Sequence, residues 1–290
     1  MEGRVLVTGI GGPAGRSALA FFRDRGCEVV GTDVREVEET PHRFHTLPLV
    51  SDPVFTDELM ALVERERPDL FVPTVTEELC LVAELAPEIR DLGVELFISG
   101  ARAADVANDK LRTVRFFEGT TVAVPRTFTP SDPRAGVVEA LGLPLLAKPV
   151  FTRGGRGVMV HSTAEEAEAD SRDGIIFQEF VPGAEFDGNL FVEDDGEITA
   201  TVVLEKTELK DGLTGNAASV DRAERPDIEQ FCARVVRELG LTGPLDIDVR
   251  LREDGTPVLL EINARLGGNV LSAPEILDAL YKAWKKKRRK

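Results

Sequence analysis

The chain has 290 residues, 42% of them hydrophobic and 30% charged, a globular composition with enough apolar mass for a large core and no need of disulfide staples. Its net charge of −16, reached despite the all-basic end Lys285-Lys-Lys-Arg-Arg-Lys290, disfavours general binding to nucleic acid. Three scattered cysteines (Cys27, Cys80, Cys232) form no C-x-x-C pair, and no run reads as a signal peptide or approaches the roughly 18 apolar residues of a membrane span, so a cytoplasmic protein with free thiols and no membrane partner is expected.

Residues 4–8 form a short apolar strand that runs into Gly9-Ile-Gly-Gly-Pro-Ala-Gly15. A helix begins near Pro13, a residue suited to the first turn, and continues to residue 25 with Ala18, Leu19, Phe21 and Phe22 as its apolar face. Residues 28–32 are the next strand, ending at Asp33. Buried strands follow at 70–72 and 94–98, with helices at 57–66 and 77–85 ahead of them. Strand and helix in alternation predict a parallel, doubly wound sheet. Gly9, Gly11, Gly12, Gly15 and Asp33 loosely mimic a dinucleotide fingerprint, which opens one reading as an NAD(P)-dependent oxidoreductase or epimerase. Such an enzyme needs a tyrosine–lysine pair, and the one tyrosine, Tyr281, sits beside the basic tail, which counts against it. Pro73-Thr-Val-Thr-Glu-Glu78 follows a strand at the carboxyl edge of this sheet, where substrates bind; a helix cap by Thr76 explains it equally well.

After Asn108 the pattern changes. Helices are expected at 111–118 and around 133–141, then a strand at 145–148, a glycine loop and a returning strand at 158–161. A helix at 163–171 carries a capping box of Thr163 and Glu166. Strands at 175–178, 185–192 and 197–205 precede a polar stretch, 206–225, read as a loop. Helix 226–239, strands 245–251 and 257–262, and helix 274–284 follow, with the basic run as a solvated end. This half is α+β with antiparallel hairpins.

Three groups carry chemistry. The first is Leu145-Leu-Ala-Lys-Pro-Val-Phe-Thr-Arg-Gly-Gly-Arg-Gly-Val158: Lys148 supplies a full positive charge just ahead of a loop whose glycines let backbone N–H groups face an anion. It is not a Walker loop, because the lysine precedes the glycines, and taken alone it is equally a glycine-rich hairpin turn. The second is Glu261-Ile-Asn263, where positions two apart on a strand present a carboxylate and an amide oxygen to one face, a hard donor set suited to Mg²⁺. Antiparallel pairing through the Asp254-Gly255 turn can bring Asp248 beside Glu261, and Arg265 can clamp a phosphoryl group. The third is Gln178-Glu-Phe-Val-Pro-Gly183 with Glu185, a bend and a carboxylate able to read adenine and ribose, and by itself only a β-bend. His42, His45 and His161 pair with no Cys or Ser, which leaves hydrolase triads and zinc sites without support; His161 is read as a satisfied surface residue.

Taken together, Asn108-Asp-Lys110, Lys148-Pro-Val-Phe-Thr-Arg-Gly-Gly155, Gln178-Glu-Phe-Val-Pro-Gly-Ala-Glu185, Asp248 and Glu261-Ile-Asn-Ala-Arg265 resemble the ATP-grasp superfamily, most closely the single-unit relatives of the carbamoyl-phosphate synthetase large subunit. The resemblance implies a Rossmann-like leading domain over 1–107, a first ATP-grasp subdomain with a flap over 108–183, and a second over 184–290 with the basic tail. It implies an ADP-forming carboxylate–amine ligase that makes an acyl phosphate from an amino acid or peptide. Lys110 and Lys148 would hold the ATP phosphates, and the flap residues Thr152, Arg153, Gly154, Gly155 and Gly157 would cover them. Gln178, Glu179, Phe180 and Val181 would line adenine, and Glu185 would hold ribose. Asp248, Glu261 and Asn263 would ligate one or two Mg²⁺, with Mn²⁺ as a substitute, and Arg265 would act with Lys148 in catalysis. A homodimer is the expected assembly. A non-catalytic ATP-binding relative is the remaining alternative, opposed by intact Lys148, Glu261 and Asn263. The resemblance also implies further helices after the Glu-x-Asn strand, where this chain has one helix and the basic run.

Overall fold

The computed structural model describes residues 2–129, 132, 136–151, 156–210, 212 and 215–288. Its first part is the expected parallel sheet, β1 (Arg4–Val7), β2 (Glu28–Asp33), β3 (Arg43–Thr46), β4 (Leu70–Val72) and β5 (Glu95–Leu96), in the order β3-β2-β1-β4-β5. Short apolar strands of this kind need cover on both faces. Leu6, Val30 and Phe71 face α2 (Phe55–Glu66) and α3 (Leu79–Asp91), where Leu59, Leu62, Val82 and Ile89 meet them. The alternate residues Val5, Val7, Val29 and Val72 pack with α1 (Pro13–Asp24), through Ala18 and Phe22. Gly15 permits the close seat of α1: a Cβ there would stand 2.2 Å from the Gly9 carbonyl oxygen.

Two helices, α4 (Ala101–Asn108) and α5 (Lys110–Phe117), lead out of this unit, and Asp109 between them caps α5 by accepting from the Arg112 backbone N–H at 2.9 Å. An antiparallel sheet follows, made of β6 (Thr127–Phe128), β7 (Leu145–Pro149), β8 (Met159–His161) and β9 (Ile175–Glu179) in the order β6-β9-β7-β8. The helices α6 (Val137–Leu141) and α7 (Ala164–Ala169) bury Leu145, Ala147, Ile175 and Phe177 of that sheet.

A second antiparallel sheet is built from β10 (Glu185–Val192), β11 (Ile198–Leu209), β12 (Ala217–Arg222), β13 (Gly243–Leu251) and β14 (Pro257–Asn263), ordered β12-β11-β10-β13-β14. One face is apolar and packs on α8 (Pro226–Leu239) through Phe186, Leu190, Ile247 and Ile262. Gly188 lets α8 come close, since a Cβ there would lie 2.4 Å from Cys232 Sγ. The other face is divided. Phe191, Val202 and Leu204 share a cluster with Leu277 and Trp284 of α9 (Pro274–Lys287), while the remainder of that face carries charged side chains.

The structure departs from the sequence reading in instructive places. Within 206–225, read as a loop, residues 206–209 and 217–222 are strand: β11 continues to Leu209 and β12 pairs with it as an edge. Such strands show few apolar residues because their faces are only partly covered, and β3, also unanticipated, lies at the edge of its sheet for the same reason. The helix expected at 77–85 begins as a 3-10 turn, Thr76–Glu78, and continues through Pro87 to Asp91. The helix α4 was not anticipated. His161 is interior, 4% exposed, and its Nε2 meets Asp170 at 3.0 Å. Part of the basic run is structured: Lys285 to Lys287 extend α9, where Lys286 pairs with Glu193 at 3.2 Å and Lys287 with Asp194 at 2.7 Å, while Arg289 and Lys290 lie outside the described residues. Cations in a last helical turn also complement the helix dipole.

Candidate active site

The polar part of the second antiparallel sheet follows from its register. Asp248 lies opposite Glu261 and Asp246 opposite Asn263, while Asp187 of β10 lies opposite Asp248 and Glu185 opposite Arg250. The pairing inferred through the Asp254-Gly255 turn is therefore present. Side chains two apart on each strand share one face, and carboxylate oxygens of Asp187, Asp246 and Asp248 come within 4.8 Å of one another. Gly267 makes room for this cluster: a Cβ would stand 2.5 Å from Asp246 Oδ2.

Cations from three other places reach the same face. Lys110, at the start of α5, donates to Glu261 Oε1 at 3.1 Å although 151 residues separate them. Lys148 of β7 is 7% exposed, and burial, aided by the Lys110 charge, lowers its pKa to about 8. Glu261, Glu185 and Asp248 act back on it in the opposite sense, so all five groups share one field. Lys206 of β11 lies 2.8 Å from Glu185 Oε1, 3.1 Å from Asp187 Oδ1 and 2.5 Å from Asp248 Oδ1. Burial opposes its charge, but the Asp248, Asp187 and Glu185 carboxylates prevail and hold it well above the usual lysine range. Arg250 meets Glu185 Oε2 at 3.0 Å.

The acids respond in two ways. Burial, reinforced by Asp246, raises Asp187 well above the ordinary carboxylate range; burial, reinforced by Asp248, raises Asp246 to about 7. Burial also works against ionised Asp248, but Lys206 overcomes it and keeps Asp248 low. Hard oxygens in this register, with Asp246 Oδ1 buried and without a hydrogen-bond partner among the described residues, fit a small divalent cation in donor type.

Arg265 joins this face to the leading domain. Its guanidinium donates to Asn263 Oδ1 at 3.0 Å and to Thr76 Oγ1 at 2.9 Å. Thr76 therefore faces the site and does not cap the helix; Glu78 supplies that contact, accepting from the Val75 N–H at 3.2 Å. Asn269 donates to Asp187 Oδ2 at 2.5 Å. A cavity of about 1400 Å³ opens from this face toward the β1–α1 glycine loop and Thr74–Glu78, with Asp248, Glu261, Asn263 and Arg265 in its wall.

The remaining candidates fall along β9 and the bend after it. Gln178 is buried, and its Nε2 donates to Thr127 Oγ1 at 2.9 Å. The Glu179 side chain pairs with Arg126 at 2.6 Å and with Arg252. Phe180 lies under the Arg250 guanidinium, 5.3 Å from ring centroid to carbon, and the Val181 carbonyl accepts from Arg250 at 3.2 Å. Gly157 has φ +73° and faces Pro149. Thr152, Arg153, Gly154 and Gly155 lie outside the described residues. Sequence reasoning missed Asp187 and Lys206 as members of the site. The alternation Glu185-x-Asp187-x-Asn189 was the available signal for the first, since period-two polarity on a strand marks one face.

The glycine loop of the leading sheet is engaged by its own fold. Asp33 accepts from the Gly11 N–H at 2.9 Å through Oδ2 and from the Val34 N–H at 2.8 Å through Oδ1. In a dinucleotide site the acid at this strand end receives ribose hydroxyls, so these contacts weigh against that reading.

A parallel sheet is followed by two antiparallel sheets, with lysines and an acidic strand pair between them, and solved structures share this fold. The chain superposes on the L-amino acid ligase from Bacillus licheniformis with a TM-score of 0.71 and 21% identity, covering 93% of this chain and 68% of that one. For N5-carboxyaminoimidazole ribonucleotide synthetase from Thermotoga maritima the TM-score is 0.68 at 17% identity, covering 91% and 69%. The ATP-grasp domain matches residues 107–269, more than half of the chain, and the chain belongs to the ATP-grasp family. It is 23% identical over 281 residues to the carbamoyl phosphate synthase large chain of Vibrio cholerae, covering 87% of this chain and 26% of that protein. The chain thus spans about a quarter of the length of that curated relative. Among the described residues, no helix is long and apolar enough to cross a membrane.

Proposed function

We propose that this chain is an ADP-forming ligase that activates a carboxylate with ATP and joins it to an amine. The observation that carries the reading is the convergence of Lys110 and Lys148 on Glu261 and Asp248, two acids that line one large cavity. Lys110 and Lys148 would bind the triphosphate, Glu185 the ribose, and Gln178 to Val181 the base, with residues 152–157 as cover. Glu261, Asn263 and Asp248 would hold Mg²⁺, or Mn²⁺ in its place. A bound divalent ion would neutralise charge on the β- and γ-phosphate oxygens. A carboxylate in the cavity would attack the γ-phosphate, ADP would leave, and an amine would displace phosphate from the acyl phosphate. Arg265 would stabilise the charge that develops on the transferring group, since preorganised cations are the main catalytic resource for phosphoryl transfer.

The reading takes residues 1–107 as the leading domain, 108–183 and 184–290 as the two ATP-grasp subdomains, an amino acid or peptide as the carboxylate, and a homodimer in the cytoplasm as the working form. The unpaired cysteines support a reducing compartment. The test is ADP release from Mg-ATP across amino acids and small peptides, with Lys148→Ala and Glu261→Gln as controls. An acceptor-dependent signal lost in both variants supports the reading; NADH binding with no response to ATP or ADP overturns it.

A further inference from the structure

Lys206 occupies the place where the acidic strands come closest. Its ammonium is buried and engages one oxygen from each of Glu185, Asp187 and Asp248, at 2.8, 3.1 and 2.5 Å. Five carboxylates gather on this face: Glu185, Asp187, Asp246, Asp248 and Glu261. An acidic surface of that size invites more than one divalent ion, and paired ions in phosphoryl-transfer sites stand about 3.5–4 Å apart.

We propose that Lys206 takes the place of a second divalent ion, so that the site binds its nucleotide with a single ion, held by Glu261 and Asn263. The inference rests on the nucleotide reading above, adds to it the number of ions, and revises its ligand set by giving Asp248 to Lys206 instead of to the ion. Geometry carries the argument. Mg²⁺ sits about 2.0–2.1 Å from its oxygens. An ion on the Asp248 oxygen that holds the ammonium at 2.5 Å would therefore lie no farther than about 4.6 Å from Nζ. Two cations that close, one of them divalent, repel strongly in a buried site. Displacing the ammonium is no remedy, because it would leave a lysine charge without its three partners. Lys206 extends from β11, one strand beyond β10, and so delivers a tethered charge that needs no dehydration at each turnover. Its three ion pairs engage β10 and the β13 aspartate; the β14 pair, Glu261 and Asn263, is held instead by Lys110 and Arg265, which can turn to phosphate when the nucleotide brings its one ion.

The test is Mn²⁺ titration in the presence of ADP, read as loss of the free-ion EPR signal. The wild type should take up one Mn²⁺ per chain and Lys206→Arg, which keeps the charge, also one. Lys206→Met, similar in length and uncharged, should take up two, with the broadened spectrum of a spin-coupled pair. Two ions in the wild type, or one in a folded Lys206→Met protein, overturn the proposal. Should Lys206→Met not fold, the wild-type count decides. Loss of all ADP-dependent Mn²⁺ uptake is a separate result: it removes the nucleotide reading, and this inference with it.

Discussion

Lys110 and Glu261 meet at 3.1 Å across 151 residues of chain, the first at the amino end of α5 and the second near the end of β14. The contact ties the helical lead-in to the last strand of the acidic face. Under the ligase reading, nucleotide binding gives the ammonium a phosphate to turn to, and Glu261 then needs another positive partner. Lys110→Ala should therefore leave Glu261 uncompensated and cost about 1–3 kcal/mol of stability, the penalty for a partly buried charged group without its partner. A divalent ion supplies the missing charge. Thermal melts should show a larger Mg²⁺-induced rise in Tm for Lys110→Ala than for the wild type; equal rises would mean that the contact does not control Glu261.

Lys148 gives a pH dependence with a definite sign. Its pKa falls from 10.5 to about 8 on folding, by burial and by the charge of Lys110. Between those values the unfolded chain holds a proton that the native chain has lost, so stability rises with pH through the window from about 8 to 10.5. The full effect is on the order of 3 kcal/mol. Lys148→Met should lack this rise, and comparing wild-type and variant melts from pH 7 to 10 isolates it. Under the ligase reading, nucleotide binding runs the other way: a phosphate beside Lys148 favours the charged lysine, so above pH 8 ADP binding should take up a proton and weaken. Calorimetry in buffers of different ionisation enthalpy measures that uptake, and its absence would count against a phosphate contact.

Much of this was legible in the chain because local pattern and tertiary role agree. The expected β10 and α8 match the observed boundaries, 185–192 and 226–239, since an apolar period bounded by turn or helix-start signals leaves little choice. Asp248 beside Glu261 was legible because the turn at Asp254-Gly255 fixes the hairpin, even with a bulge after Asp248. Lys206 was not. It lies in a run where β11 passes beyond its apolar cover, so polarity there resembles a loop, and only pairing with β10 shows that it faces three acids. Thr76 was ambiguous for a related reason. A threonine ahead of a helix reads as a cap, and its actual partner, Arg265, comes from 189 residues away.

That last contact makes a prediction about catalysis. Arg265 divides its donors between Thr76 of the leading domain and Asn263 of the acidic face, so its guanidinium is held at the cavity wall. Under the ligase reading, Arg265→Ala should lower kcat by about 10²–10³-fold, the usual effect of removing one preorganised donor to developing charge. ADP affinity should change little, because the residue acts on the transferring group. Thr76→Val removes only the acceptor for Nε and should cost less, with Arg265→Lys intermediate at best, since an ammonium cannot keep both contacts. ADP affinities that fall in step with kcat would place Arg265 in ground-state binding instead.

Asp246 supplies the opposite pH sign from Lys148. Burial and the Asp248 charge raise its pKa to about 7, so between the ordinary carboxylate range and pH 7 the native chain holds a proton that the unfolded chain lacks. Stability attributable to Asp246 should accordingly fall as pH rises through that window. Asp246→Asn keeps the shape, cannot ionise, and has the same room against Gly267, where the carboxylate already packs tightly. The wild-type advantage over Asp246→Asn should shrink from pH 4 to pH 7 and then level off, as read by urea midpoints at half-unit steps. Mg²⁺ should leave this trend in place if the ion sits on Glu261 and Asn263, whereas an ion drawn to Asp246 would ionise it and flatten the curve.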